Sequence, residues 1–174
     1  MKRHSLSDRY CAIARSSSEL TDGWTFVILR EIMLSNKRFD GLQAQTGMSP
    51  RSLTLRLKSL VDNQILEKIP YQEKPLRFEY RLTEKGRDLW PVMITLKQWG
   101  EKWCGPWQND EYPMEVKHRG KSHSLNVEVR CADCNEVVDV FSGETHINPI
   151  MQKERDEMAD AHAAGLASRK KKKF

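Results

Sequence analysis

No stretch of the 174-residue chain approaches the roughly 18 uninterrupted apolar residues that a membrane-spanning helix needs. The opening segment, MKRHSLSDRY, has positive charges with no apolar run behind them, so it does not read as a secretory leader. Cysteine is scarce, at four residues. Without an export signal, reduced thiols in the cytoplasm are expected, and metal or redox chemistry is a better role for them than a structural disulfide. The nine glycines are scattered and never gather into a phosphate-cradling loop. There is no His-Glu-x-x-His motif and no Ser/His/Asp order, and the carboxylates are spread along amphipathic faces. An enzyme is therefore not expected. Nor is there an internal repeat at a fixed period.

Charge is present in quantity and is unevenly placed. Residues 1–104 hold 18 Lys+Arg against 12 Asp+Glu, whereas residues 105–168 hold 6 against 12. Arg169 to Lys173 then supply five further cations, which account for the whole net charge of +5. A basic module is followed by an acidic one and a cationic tail, and the basic module suits a polyanionic partner. The tail reads either as a solubilising end or as a source of sequence-independent phosphate binding.

Periodicity sets the order of elements. CAIARSSSEL, from Cys11, reads as a short helix, and Asp22 can cap a second, WTFVILREIML, in which Trp24, Val27, Ile28 and Ile32 have helical spacing. RFDGLQAQTG reads as a third, with Phe39 and Leu42 inward and Gly47 just beyond its end. Ser49 then caps a fourth helix with Pro50 at its first position. Leu53, Leu57 and Leu60 fall within an arc of roughly 60°, and Arg51, Thr54, Leu55 and Lys58 project from the other side. Two helices joined by so short a Gly-containing turn are the mark of a helix-turn-helix. Residues 66–82 follow as a β-hairpin with a charged tip, QEKP. Its second arm alternates Phe78, Tyr80 and Leu82 with Arg77, Glu79 and Arg81. Thr83 caps a long helix over 84–103 whose stripe of Leu89, Met93, Leu96, Gly100 and Trp103, with Trp99 beside it, is too aromatic to face solvent. Pro91 should kink that helix or trim its first turn.

Helix, turn, capped basic helix and hairpin make up the winged helix-turn-helix layout, with the second helix of the pair in the major groove. On that reading Arg51 suits guanine, and Leu55 or the Thr54 methyl suits a thymine methyl. Ser49 and Ser52 lie at the helix start. Arg56 flanks the core stripe, its stem packing while its head reaches a phosphate or an acidic neighbour. Lys74 and Arg77 on the wing, with Lys37 and Arg38 ahead of the third helix, supply backbone contacts that position without specifying.

Across roughly residues 11–103 the chain also resembles the HxlR-type winged-helix transcriptional regulators. The resemblance is carried in order by CAIARS, WTFVILRE, KRFDGLQ, MSPRSLTLRLKSL, PYQEKPLRFEYRLTEKG and WGEKW. It implies a homodimer, built through the N-terminal helix and the helix over 84–103, that binds a pseudo-palindromic operator as repressor or activator. Gly23 departs from it, standing where relatives usually carry Lys or Arg. In some relatives the cysteine matching Cys11 senses oxidants or electrophiles. The alternative for Cys11 is a small buried hydrophobe.

From Gly105 the texture changes. Residues 105–113 read as a linker and 114–147 as a small β-rich module, with short β-like runs around VEVRC and VVDVF. Cys131 and Cys134 in CADC have the knuckle spacing that lets two thiolates share a zinc ion, with His118 and His123 as the candidate remaining ligands and His146 more distant. The stretch VKHRGKSHSLNVEVRCADCNEVVDVFSGE is similar to a ribbon-like module in a longer-tailed subset of the same family. Asn135 replaces a Gly there and can take the left-handed conformation the turn needs. A metal-free hairpin is the other reading. Residues 148–174 read as a weak helix fading into a mobile basic tail.

The expected fold class is therefore mainly α with a β-hairpin wing (α+β), comprising a winged-helix domain over 1–104, a linker, the small module and the tail. The expected function is sequence-specific binding of double-stranded DNA by a homodimeric regulator. The competing reading is a protein-interaction module that contacts transcription machinery through the acidic ribbon and touches DNA weakly or not at all. The sequence names no small-molecule effector; a hydrophobic one would lodge between the long helix and the dimer mate, and no membrane partner is expected.

Overall fold

The computed structural model describes residues 5–20, 22–108 and 111–171, with side chains described as far as residue 165. Two compact units emerge, Gly23–Ser142 and a second made of Met1–Asp22 with Gly143–Phe174. This grouping cuts across the domain limits expected from composition. The residues before 23 cluster with the C-terminal helix instead of the winged helix, and the 114–142 module clusters with the winged helix.

The larger unit starts with α1′s successor in the chain, the helix α2 (Gly23–Met33), where α1 is Ala12–Leu20 of the other unit. Ile28, Leu29 and Ile32 of α2 are buried, together with Thr25 and Glu31. Trp24, expected on the same stripe, is instead 45% exposed, because the buried arc is centred on Ile28 and Leu29. α3 (Phe39–Thr46) ends at Gly47 in the left-handed region (φ 67°), whose N–H donates to Gln43 O. That residue lets the chain turn sharply enough for α4 (Pro50–Asp62) to start three residues later. Ser49 caps α4 by accepting from Ser52 N at 3.2 Å, with Pro50 in the first turn. Leu53, Leu57 and Leu60 are all buried, as the leucine spacing requires, against a core that includes Leu42, Ile65 and Leu66.

The wing is an antiparallel pair, β1 (Leu66–Glu73) and β2 (Leu76–Leu82), in register from Leu66 opposite Leu82 to Glu73 opposite Leu76, with an irregularity between Pro70 and Gln72. Lys37 and Arg38 add a short third edge: Tyr80 N donates to Lys37 O at 2.8 Å and Arg38 bridges to Glu79.

The expected single helix over 84–103 is two. Thr83 caps a four-residue turn, α5 (Glu84–Arg87), and α6 (Trp90–Trp103) begins afresh with Pro91 in its first turn. Proline lacks the N–H that would continue α5, and its ring collides with the carbonyl four residues back, so the break falls where only a first turn can hold it. Of α6 only Ile94 is buried. At the head of α5, Thr83 N donates to Ile65 O (3.1 Å), and Thr83 Oγ1 donates to Gln64 O (2.6 Å) while accepting from Gly86 N (3.1 Å). A Cβ on Gly86 would sit 2.2 Å from Ile65 O, so the strand-to-helix crossing requires glycine.

The 114–142 module is thinner than the β-like runs suggested. Its described residues form isolated bridges, Lys117 with Ser124 and Arg130 with Val137, and no named strand. Val129, Val137, Val140 and Phe141 are all more than half exposed, so no apolar layer holds longer strands together. It docks on α6 through Gln98, whose amide donates to Val127 O (3.3 Å) and accepts from Val127 N (3.2 Å).

In the smaller unit, a 3₁₀ turn (Leu6–Asp8) precedes α1, and α7 (Pro149–Lys171) does not fade early but stays helical through Lys171. Glu154 of α7 pairs with Arg9 at 2.5 Å and accepts from Tyr10 N at 2.9 Å. Of the cationic tail, Lys172 and Lys173 lie outside the described residues. Among the described residues, no helix is long and apolar enough to cross a membrane.

Candidate nucleic-acid interface

Seating three leucines in the core leaves the opposite face of α4 in solvent. Arg51, Thr54, Leu55 and Lys58 are exposed, Leu55 by 60% despite being apolar. Among the described residues neither Arg51 nor Lys58 has an intramolecular hydrogen bond or ion pair. Two free cations and an exposed leucine form one face of a rigid, capped helix. Ser49 and Ser52 close its start, their hydroxyls 3.0 Å apart. The Thr54 hydroxyl donates back to Pro50 O at 2.8 Å, so its hydrogen is used within the helix while the oxygen can still accept. Arg56 is half-buried and already engaged within the chain, in keeping with a stem that packs on the flank of the core stripe.

The wing carries exposed Lys74 at its tip and exposed Arg77 beside it, and neither side chain has a polar partner among the described residues. Lys37 is half-buried. The Arg38 guanidinium lies 4.3 Å from the centre of the Tyr71 ring, and Lys68 stands 4.1 Å from that of Phe78. Stacking holds these cations in place while leaving their charge unneutralised. The sequence reading missed Lys68 and the Tyr71 platform. The signal available was the aromatic residues interleaved with cations along both arms of the hairpin.

The comparisons decide the family. An HxlR-like helix-turn-helix family profile matches residues 19–108. The chain belongs to the HxlR-like helix-turn-helix family. An uncharacterised HTH-type transcriptional regulator of Mycobacterium bovis is 31% identical over 131 residues, spanning 73% of this chain and 79% of that one. The HTH-type transcriptional regulator YodB of Bacillus subtilis is 34% identical over 84 residues, spanning 48% of this chain and 75% of its own. Among solved structures, that of PA1607, a candidate transcription factor, superimposes with a TM-score of 0.74 at 27% identity, covering 83% of this chain and all of that one. The fold class expected from the sequence, α+β with a hairpin wing, is the one found, and the relatives are regulators and not enzymes.

The cysteines and histidines divide into separate sets. Cys11 is half-buried, and the two arginines nearest it in sequence are turned elsewhere, Arg9 to Glu154 and Arg15 Nε to Arg9 O at 2.7 Å. Cys131 and Cys134 do form a knuckle. Asn135 takes φ 59°, its N–H donating to Cys131 O, and the N–H groups of Cys134 and Asp133 on the Cys131 sulfur hold that thiol below the ordinary cysteine value. His118 and His123 face each other across the neighbouring turn with ring centres 5.7 Å apart. The expected set of four is not assembled: among the described residues no three His, Cys, Asp or Glu side chains come together to hold a metal. Two thiols alone leave a tetrahedral zinc site half-filled, so these residues do not fit one within a single chain.

Proposed function

We infer that the protein is a sequence-specific, double-stranded-DNA-binding regulator that acts as a homodimer on a pseudo-palindromic operator. The coarser part of this reading, an HTH transcriptional regulator and not an enzyme, follows from the family. The finer part is carried by one observation: α4 buries Leu53, Leu57 and Leu60 and holds Arg51 and Lys58 exposed and unpaired.

In this reading α4 enters the major groove. Arg51, in its first turn, donates two hydrogen bonds to a guanine edge, and Leu55 with the Thr54 methyl contacts a thymine methyl. Lys58 and the hairpin cations Lys74 and Arg77, with Arg38 on its Tyr71 platform, meet phosphates and fix the register. Dimerisation is supported by α6, where Val92, Leu96, Trp99 and Trp103 recur at helical spacing and stay 43–63% exposed. So much contiguous apolar surface marks an interaction face.

The test is fluorescence anisotropy with duplex from the promoter beside the protein's own gene, at several salt concentrations, with the complex sized by sedimentation. Expected are two chains per duplex and an affinity that falls steeply with salt, with a logarithmic slope of about −0.9 per phosphate neutralised. Binding indifferent to salt, or absent, would favour the protein-interaction reading.

A further inference from the structure

We propose that the groove between α2 and α6, closed by residues 113–117, is a binding site for a neutral, largely apolar and aromatic small molecule. The groove encloses about 670 Å³, within the usual size of small-molecule sites, roughly 300–1,000 Å³. Phe26 and Met33 of α2 form one wall, Trp90 and Met93 of α6 the second, and Met114 and Val116 the third. The third wall lies beyond residues 19–108, which the family profile matches, in a segment that the longer relatives share.

The chain on either side of that wall is tied to α6. Trp107 Nε1 donates to Glu101 O of α6 at 2.9 Å where the chain leaves the helix, and the Gln98 amide holds Val127 farther along. Three thioethers, from Met33, Met93 and Met114, give the lining an adaptable, polarisable surface that suits a flat aromatic ring.

The charges at the groove decide the class of ligand. Arg30 Nη2 donates to Glu31 at 2.7 Å, and Asn36 supplies a second donor to the same carboxylate at 3.1 Å. Lys97 pairs with Glu101 one turn along α6, and Lys117 lies 3.4 Å from Glu115. Each cation is answered by its own anion, so an ionic ligand would find no unpaired counter-charge and would have to break a pair to gain one.

The test uses the full chain and the neutral fluorogenic dye Nile red, without DNA, so its outcome is independent of the DNA-binding reading. Titration should saturate near one dye per chain with blue-shifted, enhanced emission. Val116→Arg and Met114→Arg, each placing a cation in the third wall, should weaken binding about tenfold or more, with far-ultraviolet circular dichroism and sedimentation mass unchanged. On the unaltered protein, hydrogen exchange with saturating dye should slow in residues 26–34 and 113–117, a readout that does not depend on either variant folding. The proposal is overturned if both folded variants bind as the wild type does, or if the dye's exchange protection falls elsewhere. It is also overturned if the dye is expelled as the protein self-associates, since a second copy would then fill the groove.

Discussion

Replacing Gly86 by alanine separates packing from helix propensity, because the two predict opposite signs. Propensity alone makes Gly→Ala inside a helix favourable by about 0.5–1 kcal/mol. In this structure the new Cβ would lie 2.2 Å from Ile65 O, a backbone atom that cannot swing aside. Reaching ordinary van der Waals separation requires a shift of roughly 1 Å or more. That shift disrupts the contacts meeting there: Thr83 N to Ile65 O, Thr83 Oγ1 to Gln64 O and Gly86 N to Thr83 Oγ1. Two to three such bonds at about 1 kcal/mol each, less the propensity gain, leave a net loss of about 2 kcal/mol. For a chain of this length that lowers Tm by about 4–8 °C. Tryptophan fluorescence during heating or urea unfolding reads it directly, since all five tryptophans lie between residues 24 and 107, in the larger unit. Gly100, in α6 with open space at its Cβ position, is the control, and its alanine variant should be as stable as the wild type or slightly more so. A Gly86→Ala protein as stable as the wild type would refute the close crossing of α5 on the start of β1.

Three further outcomes are expected. Leu57→Ala removes a side chain that is 1% exposed at the heart of α4, and should cost about 2–5 kcal/mol in urea unfolding; a loss under 1 kcal/mol would mean that α4 is not seated on the core as described. Lys74→Ala and Arg77→Ala should weaken binding to cognate and scrambled duplexes alike and flatten the salt slope by about one unit each, as phosphate contacts do. In pH-dependent alkylation mapped by mass spectrometry, Cys131 should begin reacting below the ordinary thiol range, because N–H donors from Cys134 and Asp133 stabilise its thiolate. Reaction only at the ordinary thiol pH would remove the knuckle geometry.

The winged helix was legible because its signals are local. Ser49-Pro50 starts α4, Gly47 stops α3, and the leucine spacing names the buried face, so each residue states its own role. What escaped the sequence depends on contacts between distant segments. The pairing of Lys37 and Arg38 with β2 needs the fold before it has a partner, and the Gly86 crossing is visible only once Ile65 is placed beside it. Pro91 implies a kink or a trimmed turn, and the helix divides there because Pro91 has no N–H to continue α5, whose last bonds are made by Asp88 N to Glu84 O and Leu89 N to Gly86 O. Knuckle spacing is a local property, which Asn135 satisfies, whereas bringing two histidines to two cysteines is a tertiary one, and among the described residues the four do not come together.

The claim on which the account turns is that the exposed cationic face of α4 reads base edges. Arg51→Ala tests it most directly, through the ratio of affinities for cognate and scrambled duplex at fixed salt. The account predicts that this ratio collapses by about 1–3 kcal/mol while non-specific affinity changes little. An unchanged ratio, in a protein whose melting curve matches the wild type, would contradict it.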